Sequence, residues 1–289
     1  MQKKRIDILG ANGQLGNELR LLSARYPECE FVFSDVADVD ITDQAQLHAH
    51  LEKIRPQVVV NCAAYTAVDK AETEGAVLAE AVNHKAVSQL AAFTHEFSYL
   101  LIHISTDYVF DGTSCKPYLE TDTCHPISVY GRTKRAGEEA VLSEAKRAVI
   151  LRTAWLYSAF GNNFVKTMLR LGKERPEVKV VTDQIGSPTY AADLADAVMR
   201  WVEREARVQD VQLYHFTNEG VCSWYDFARS IIARVSSNCR VLPIPSEAYP
   251  APAPRPFYSV LDKRKIKQVL QMEIPHWEDA LQRCLTKLL

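Results

Sequence analysis

The stretch Ile6-Asp-Ile-Leu-Gly10-Ala-Asn-Gly13-Gln-Leu-Gly16 decides the fold. The residues before Gly10 read as a short strand, and the leucines after Gly16 predict a helix. Glycines between a strand and a helix let the backbone turn tightly and approach a pyrophosphate, while the helix N-terminus faces the phosphates. The same spacing also fits a structural turn without a ligand. Its place directly after a strand favours a dinucleotide site.

The next segment continues the same pattern. A second predicted strand, Glu30–Ser34, ends at Asp35, about 20 residues beyond the glycines, where an acid accepts hydrogen bonds from an adenosine ribose. The carboxylate favours NADH, although a cation from elsewhere in the chain would still allow NADPH. Asp43 and Gln46 then form a capping-box-like start to a helix that stops before Pro56.

Further strands alternate with helices. Gln57–Asn61 predicts a buried strand followed by small residues, which would let a flat cofactor pass close to the backbone but equally fit a close contact between helix and sheet. Leu100–Ser105 and Val149–Leu151 predict two more strands, each preceded by a helix. This alternation predicts an α/β, Rossmann-type, doubly wound parallel sheet.

The composition excludes several classes of function. The 289 residues are 47% hydrophobic and 24% charged, with a formal net charge of -2, so we expect no nucleic-acid partner. No apolar run approaches the ~18 residues of a membrane span, and Met1–Asp7 lacks a secretory signal, so we expect a cytoplasmic protein without a membrane partner. The seven scattered cysteines form no C-x-x-C pair, which argues against a disulfide framework and a structural zinc.

A second stretch, Tyr130-Gly-Arg-Thr-Lys134, predicts the chemistry. In a helix this spacing places the phenol and the ammonium on one face, where the cation would lower the pKa of the tyrosine from about 10. The hydroxyl of Thr106 follows the predicted strand Leu100–Ser105, at the edge of the sheet where such folds bind ligands. Taken alone, Tyr-x-x-x-Lys also fits an ordinary amphipathic helix.

Beyond Trp155 the alternation of strands and helices becomes less regular. We predict a dinucleotide-binding domain over residues 1–155 and a smaller sugar-nucleotide-binding region over 156–289, with the chain free to cross back between them. Short strands are predicted at 178–181, 213–216 and 241–244, and helices at Asp193–Val202 and Ser223–Val235. The proline-rich stretch from Pro243 to Pro256 predicts either a stiff lid over a ligand or a plain linker.

Several motifs together resemble the dTDP-4-dehydrorhamnose reductase family of extended short-chain dehydrogenases. The match covers most of the chain, and its motifs are Gly10-x-x-Gly13-Gln-x-Gly16, Asn61-x-Ala-Ala-x-Thr-Ala-Val-Asp69-Lys-Ala-Glu72, Ser105-Thr-Asp-Tyr-Val-Phe110, Val129-Tyr-Gly-x-Thr-Lys134, Arg152-Thr-x-Trp155, Gly161-Asn-Asn-Phe164, Lys166-Thr-Met-Leu-Arg170, Asp183-Gln-x-Gly186-x-Pro188-Thr189 and Arg255-Pro-x-x-Ser259.

The resemblance implies roles for individual residues. Tyr130 would donate the proton, Lys134 would bind the nicotinamide ribose and lower the pKa of the tyrosine, and Thr106 would orient the substrate. The expected cofactor contacts are Gly10, Gly13, Gln14, Leu15, Gly16, Asp35, Asp40, Ile41, Ala63, Ala64, Tyr65, Thr66, Tyr130 and Lys134. The expected substrate contacts are Thr106, Asp107, Trp155, Asn163 and Lys166, the last two because an amide and a cation suit a nucleotide base and a diphosphate.

Two positions depart from the family pattern. Tyr65 stands where several relatives carry a histidine, and Ala192 stands where some carry an acid used in a metal-linked dimer. We therefore expect no metal site, and we leave open whether the chain forms a homodimer.

The implied activity is reduction of the C4 keto group of dTDP-4-dehydro-L-rhamnose to dTDP-L-rhamnose, with NADPH or NADH. One alternative is a nucleotide-sugar 4-epimerase or dehydratase of the same fold. Dehydratases commonly carry Asp-Glu after the strand threonine, whereas here Asp107-Tyr108 follows Thr106. The other alternative is a non-catalytic regulatory subunit, against which the intact Thr106, Tyr130 and Lys134 argue.

Overall fold

A six-stranded parallel sheet forms the centre of the protein. The computed structural model describes residues 3–234 and 238–289. The strands in these residues are β1 Lys4–Leu9, β2 Cys29–Ser34, β3 Val58–Asn61, β4 Leu100–Thr106, β5 Ala148–Thr153, β6 Leu156–Tyr157, β7 Glu177–Val181, β8 Ile185–Gly186, β9 Thr189–Tyr190, β10 Val211–His215, β11 Cys222–Ser223 and β12 Arg240–Ile244. The sheet order is β10-β5-β4-β3-β1-β2, which confirms the predicted Rossmann-type fold.

Helices cover both faces of this sheet. The α-helices of the described residues, including those that lie away from the sheet, are α1 Gln14–Ser23, α2 Gln44–Ile54, α3 Val68–Ala71, α4 Ala76–Glu80, α5 Ala86–Phe97, α6 Val129–Glu144, α7 Phe164–Glu174, α8 Ala191–Glu203, α9 Trp224–Ala233, α10 Arg264–Leu270 and α11 Trp277–Leu288. Every residue of β3 and β5 is buried, as expected for parallel strands that have helices on both sides. The chain leaves β1 towards β2 on one side and reaches β3 on the other, so β1 lies at the topological switch point.

Helix α2 begins where its sequence predicts, but only one of the two interactions of a capping box is present. The Asp43 side chain accepts hydrogen bonds from the backbone N–H groups of Ala45 and Gln46, which satisfies two free donors of the first turn. The Gln46 amide donates to the Asp43 carboxylate rather than accepting from the Asp43 backbone. The cap is therefore one-sided.

The chain crosses between its two regions more than once. Strand β10 pairs with β5 in the central sheet, and Leu194 and Val198 of α8 pack with Leu15 of α1 in the same core. A second core, built around Tyr157 and Phe227 with residues of α7, α9 and α11, lies outside the sheet. The two-domain division stays a prediction, and residues 191–215 lie with the first of its two parts.

The proline-rich stretch contacts both regions. Ala253 N–H and the Arg255 guanidinium bind the carboxylate of Asp69, a residue of α3, at 3.2 and 2.8 Å. Further along, Ile185 N–H donates to Phe257 O at 2.7 Å. The stretch therefore fastens the region around β8 to the carboxyl end of the sheet, which is more than a plain linker would do.

Two predictions reach residues outside the described ranges. Residues 1–2 belong to the stretch on which the cytoplasmic prediction rests, and the predicted end of a helix at Val235 also lies outside. Ser223 caps that helix, α9, in a full capping box with Asp226. Within the described ranges, no helix combines the length and the apolar character that a bilayer crossing needs.

Candidate active site

Two glycines that follow β1, Gly10 and Gly16, leave no room for a side chain. Gly10 has φ +73°, a conformation that glycine adopts without strain, and a Cβ there would lie 2.6 Å from Ala63 N. A Cβ on Gly16 would lie 2.6 Å from the Ala11 Cα. These contacts hold the residues after β3 close to the turn that follows β1. They also leave the N–H groups of the first turn of α1 accessible to a ligand.

A cleft of about 550 Å³ opens at this turn, at the switch point of the sheet. Its lining includes Gly10, Gly13, Asp35, Asp40, Ile41, Ala63, Ala64 and Tyr65, all of which the sequence predicts as cofactor contacts. The other predicted contacts lie outside the lining, and they are Gln14, Leu15, Gly16, Thr66, Tyr130 and Lys134. Leu15 is a core residue of α1 and is 4% exposed, so only its backbone is placed to serve a ligand.

Asp35 is held at the edge of this cleft by the backbone. Its Oδ2 accepts from Asn12 N–H at 2.8 Å, and its Oδ1 accepts from Val36 N–H at 2.9 Å. These bonds orient the carboxylate beside the glycine turn, where a ribose would lie. Among the described residues that line the cleft there is no Lys, Arg or His, so no cation opposes this charge.

The three predicted catalytic side chains come together where β4 meets α6. Ser128 caps α6 by accepting from Gly131 N–H at 3.1 Å, which places Tyr130 in the first turn and Lys134 in the second. The Tyr130 hydroxyl lies close enough to the hydroxyl of Thr106 for Thr106 to lower the pKa of the tyrosine. Lys134 Nζ donates to Ile104 O at 2.6 Å.

The predicted lowering of the tyrosine pKa is wrong. Burial raises the pKa of Tyr130 to about 12, against the opposing effect of the Thr106 hydrogen bond. Asp107 raises this pKa further, and the Lys134 charge makes no resolved contribution. The cost of burying a phenolate dominates this pKa, and the Lys134 Nζ is directed to the backbone of β4, where it donates to Ile104 O.

Asp107 is a buried acid beside the same hydroxyls. It is 1% exposed, and burial raises the pKa of its carboxyl to about 6, although the nearby hydroxyls of Ser259 and Thr106 lower it. Thr106 Oγ1 donates to Asp107 Oδ1 at 3.0 Å. Ser259 follows the proline-rich stretch, so that stretch reaches the site as well.

Trp155 holds an uncommon backbone conformation at the end of the sheet. Its φ is +48°, and its ring stacks on Trp224 with centroids 3.6 Å apart and an interplanar angle of 10°. A Cβ on Gly186 would lie 2.7 Å from the Trp155 ring. The family resemblance implies a role for Trp155 but none for Trp224 or Gly186, because no local sequence pattern indicates a contact between residues 69 positions apart.

Asn163 and Lys166 lie at the start of α7, and their polar atoms have partners in the protein. The Asn163 amide caps α7 by accepting from Lys166 N–H, and it donates to Ser158 O and to Gln14 Oε1 at 2.8 and 3.0 Å. Asn163 thereby joins the glycine turn to the C-terminal region. Lys166 Nζ makes a longer bond of 3.4 Å to Ala159 O, so the ammonium has capacity for an anion.

A buried ion pair under the site was also missed. Glu138, four residues beyond Lys134, is bound by Arg152 of β5 with bonds of 2.8 and 2.7 Å. Extending the i, i+4 spacing from Tyr130 through Lys134 would have found Glu138, whereas its partner lies on another element. Within the described residues, no group of three or more His, Cys, Asp or Glu side chains is placed to hold a metal ion.

Comparison with known proteins relates this geometry to a family. A family model described as RmlD substrate binding domain matches residues 4–289. The chain is 42% identical to the dTDP-4-dehydrorhamnose reductase of Burkholderia thailandensis, over 99% of each chain. It is 40% identical to the dTDP-4-keto-6-deoxy-D-glucose reductase of Streptomyces niveus, over 95% of this chain and 94% of that one.

A solved structure agrees with these relatives. The crystal structure of dTDP-4-dehydrorhamnose reductase from Bacillus anthracis, in complex with NADP, matches with a TM-score of 0.93 and 40% identity over 99% of both chains. The fold and the family resemblance predicted from the sequence are thus both confirmed. With a family model that spans nearly its whole length, the chain belongs to the RmlD substrate-binding-domain family.

Proposed function

We propose that this protein is an NAD(P)H-dependent oxidoreductase that reduces the C4 keto group of dTDP-4-dehydro-L-rhamnose to give dTDP-L-rhamnose. The observation that carries the proposal is the meeting of Thr106, Tyr130 and Lys134 at the carboxyl edge of the sheet, next to the glycine-lined cleft. Relatives at about 40% identity bear the names of such reductases, and one was solved with NADP bound.

The cleft fits a nicotinamide dinucleotide. Gly10 and Gly13 have no side chains to cover the backbone before α1, so the N–H groups of the first turn would be free to bind the pyrophosphate. Asp35 would accept from the adenosine ribose, and Ala63 and Ala64 would lie along the dinucleotide. When bound, the reduced nicotinamide would supply the hydride for C4 of the sugar.

Proton delivery falls to Tyr130. A phenol whose pKa is about 12 keeps its proton at neutral pH, as a general acid must. The oxygen that develops charge at C4 is a stronger base than the phenolate, so the transfer runs towards the sugar. Thr106 would hold that oxygen through its hydroxyl, and Lys134 would bind the nicotinamide ribose.

The sugar and its nucleotide would lie on the C-terminal side of this trio. Trp155 offers an aromatic face and Asp107 a carboxyl for the hexose, while Lys166 offers a cation for the diphosphate. Asn163 is engaged as a helix cap, so we assign it the positioning of Lys166 and Gln14 rather than a direct contact.

The test is a stoichiometric assay. Purified protein should carry little bound cofactor and oxidise one added NADPH or NADH for each dTDP-4-dehydro-L-rhamnose reduced. Tightly held NAD with interconversion of 4-hydroxyl epimers would indicate the epimerase instead. Cofactor binding without turnover of any 4-keto sugar nucleotide would indicate a regulatory subunit.

The Streptomyces niveus relative makes a second substrate worth including. Its name specifies dTDP-4-keto-6-deoxy-D-glucose, and it is as similar to this chain as the solved Bacillus anthracis reductase. Both 4-keto sugars should therefore be compared by kcat/KM. The proposal predicts preference for the L-rhamnose precursor, and a preference for the D-glucose precursor would reassign the substrate while leaving the reaction intact.

A further inference from the structure

The carboxylate of Glu138 lies fully buried one helical turn beyond Lys134. Its Oε1 accepts from Ser105 Oγ at 2.6 Å and from Arg152 Nε at 2.8 Å. Its Oε2 accepts from Arg152 Nη2 at 2.7 Å and from Arg135 Nη1 at 3.1 Å. Four donors thus bind one carboxylate that has no exposed surface, and this is far more than a solvated helix face requires.

Arg152 is anchored just as firmly. Its Nη1 lies 3.3 Å from His215 Nε2, its Nη2 donates to Cys124 Sγ at 3.1 Å, and its guanidinium lies 5.1 Å from the centre of the Phe110 ring. Arg152 also stands opposite Ser105 in the register of β4 and β5. The pair therefore joins α6, β4, β5 and the loop around Cys124 at one point.

That point lies directly under the proposed catalytic groups. Ser105 precedes Thr106 on β4, and Glu138 follows Lys134 on the same face of α6. A buried ammonium is costly unless an anion lies near it. Among the residues that the structure describes, Glu138 is the one acid with a resolved effect on Lys134, and it favours the charged form.

We propose that Glu138, held by Arg152, is a positioning residue for the reductase: it keeps Lys134 in its ammonium form and fixes Thr106 through Ser105. The proposal deepens the proposed function and rests on it for the role of Lys134. Glu138 itself is out of reach of substrate and cofactor, because its carboxylate is enclosed by protein donors on both oxygens.

The electrostatics of Lys134 support this assignment. Burial lowers the pKa of Lys134 to about 8, and the Glu138 carboxylate opposes that shift. The other titratable neighbours are Tyr130, protonated at neutral pH, and His103 of β4, whose pKa burial and the Lys134 charge hold well below its usual value. Neither supplies a negative charge, so removing that of Glu138 would make the ammonium lose its proton at a lower pH.

The experiment measures NADPH affinity against pH, by fluorescence of the bound cofactor, in wild type and in Glu138→Gln. Glutamine keeps the size and removes the charge. We expect the alkaline loss of affinity to move down by about one pH unit, with roughly fivefold weaker binding at pH 8 and near-normal binding at pH 6. The alkaline limb of kcat/KM should shift equally, and an unchanged midpoint in a folded variant would overturn the proposal.

Three variants complete the design. Glu139→Gln removes a neighbouring charge from the exposed side of the same helix, where Glu139 also binds Arg135, and should leave the midpoint unchanged. Lys134→Met should abolish the alkaline limb of binding, which identifies that limb with Lys134. If Glu138→Gln does not fold because Arg152 is left uncompensated, Glu138→Gln with Arg152→Met removes both charges, and a wild-type midpoint there would refute the role of Glu138.

The binding measurement also separates two kinds of failure. A wild-type protein that binds NADPH but reduces no 4-keto sugar nucleotide contradicts the proposed function. If the wild-type protein is an active reductase but Glu138→Gln leaves the pH midpoint of NADPH binding unchanged, only the present inference is contradicted.

Discussion

Tyr130 keeps its proton because it is withdrawn from water, and this suits the direction of the proposed reaction. With a pKa of about 12 the side chain is a phenol and not a phenolate at the start of each turnover, as a reductase needs, although it is a weaker acid than an exposed tyrosine. The hydroxyl of Thr106 lies near the phenol, so a keto oxygen of the substrate could bind to both hydroxyls at once. The donor is therefore poised by geometry and not by acidity.

Tyr130→Phe tests the donor directly. The change removes one hydroxyl and keeps the ring, so turnover should fall by roughly 10²- to 10⁴-fold while NADPH still binds. Tyr108→Phe serves as the control, since Tyr108 packs edge-on against Tyr130 with ring centres 5.5 Å apart and lacks the proposed role. Near-normal turnover in Tyr130→Phe would mean that another group supplies the proton.

Asp35→Asn tests cofactor choice. Removing the charge beside the ribose should raise the NADPH/NADH ratio of kcat/KM about tenfold, for about 1.4 kcal/mol of lost repulsion. Asp38→Asn is a matched control, because Asp38 is exposed and its carboxylate accepts from the backbone N–H of Asp35 in the same turn. A ratio that moves equally in both variants would place Asp35 away from the ribose.

The residues of the trio could be found from the sequence, but their protonation could not. Spacing alone put Tyr130 and Lys134 on one face, since a helix repeats every 3.6 residues. The pKa of each depends on how much protein covers it, and that cover comes from strands and loops distant in the chain. The same limit applies to Glu138, whose spacing is visible while its partner Arg152 is not.

At the scale of elements, Trp224 and Gly186 form a clamp that holds Trp155 at the end of the sheet. A non-glycine residue with φ +48° is strained by about 1–3 kcal/mol, and it persists only where its surroundings hold it. Trp224, the first residue of α9, stacks on one face of the ring, and Gly186 of β8 leaves room for it. Local patterns predicted α9 and β7 well, but they could not place α9 against the end of β5.

Removing this clamp should affect the sugar more than the cofactor. Trp224→Ala should raise the KM for the sugar nucleotide about tenfold, because Trp155 is free to relax, while NADPH affinity stays unchanged. Trp224→Phe retains an aromatic face and should lie much nearer to wild type. Equal changes in both binding constants, or a normal KM in a folded Trp224→Ala protein, would remove Trp155 from the proposed substrate site.

Across the whole molecule, the site joins two cores that the chain builds separately. The sheet and α8 form one, and α7, α9 and α11 form the other. Bonds such as Asn163 to Gln14 and Arg255 to Asp69 cross between them beside the cleft. The alternation in sequence predicted a parallel, doubly wound sheet, whereas these crossings depend on tertiary packing between residues about 150 or more positions apart.

Burial of the Lys134 ammonium should lower the free energy of unfolding of the whole protein. Lys134 titrates at 10.5 when exposed, and burial lowers its pKa to about 8 in the folded state. The folded protein therefore binds the proton less tightly, so the penalty is fully present below pH 8 and is lost as pH rises towards 10.5. Replacing the lysine removes that penalty.

Lys134→Met should accordingly unfold with a free energy about 1–3 kcal/mol higher than wild type at pH 7, the shift being worth at most about 1.36 kcal/mol per pKa unit. The gain should shrink steadily above pH 8, and the variant should lose turnover although it is more stable. Urea unfolding at pH 7 and pH 10 measures both points, with the exposed Lys173→Met as the control. A variant less stable than wild type at pH 7 would show that the bonds of the ammonium to Ile104 O and its attraction to Glu138 outweigh its burial.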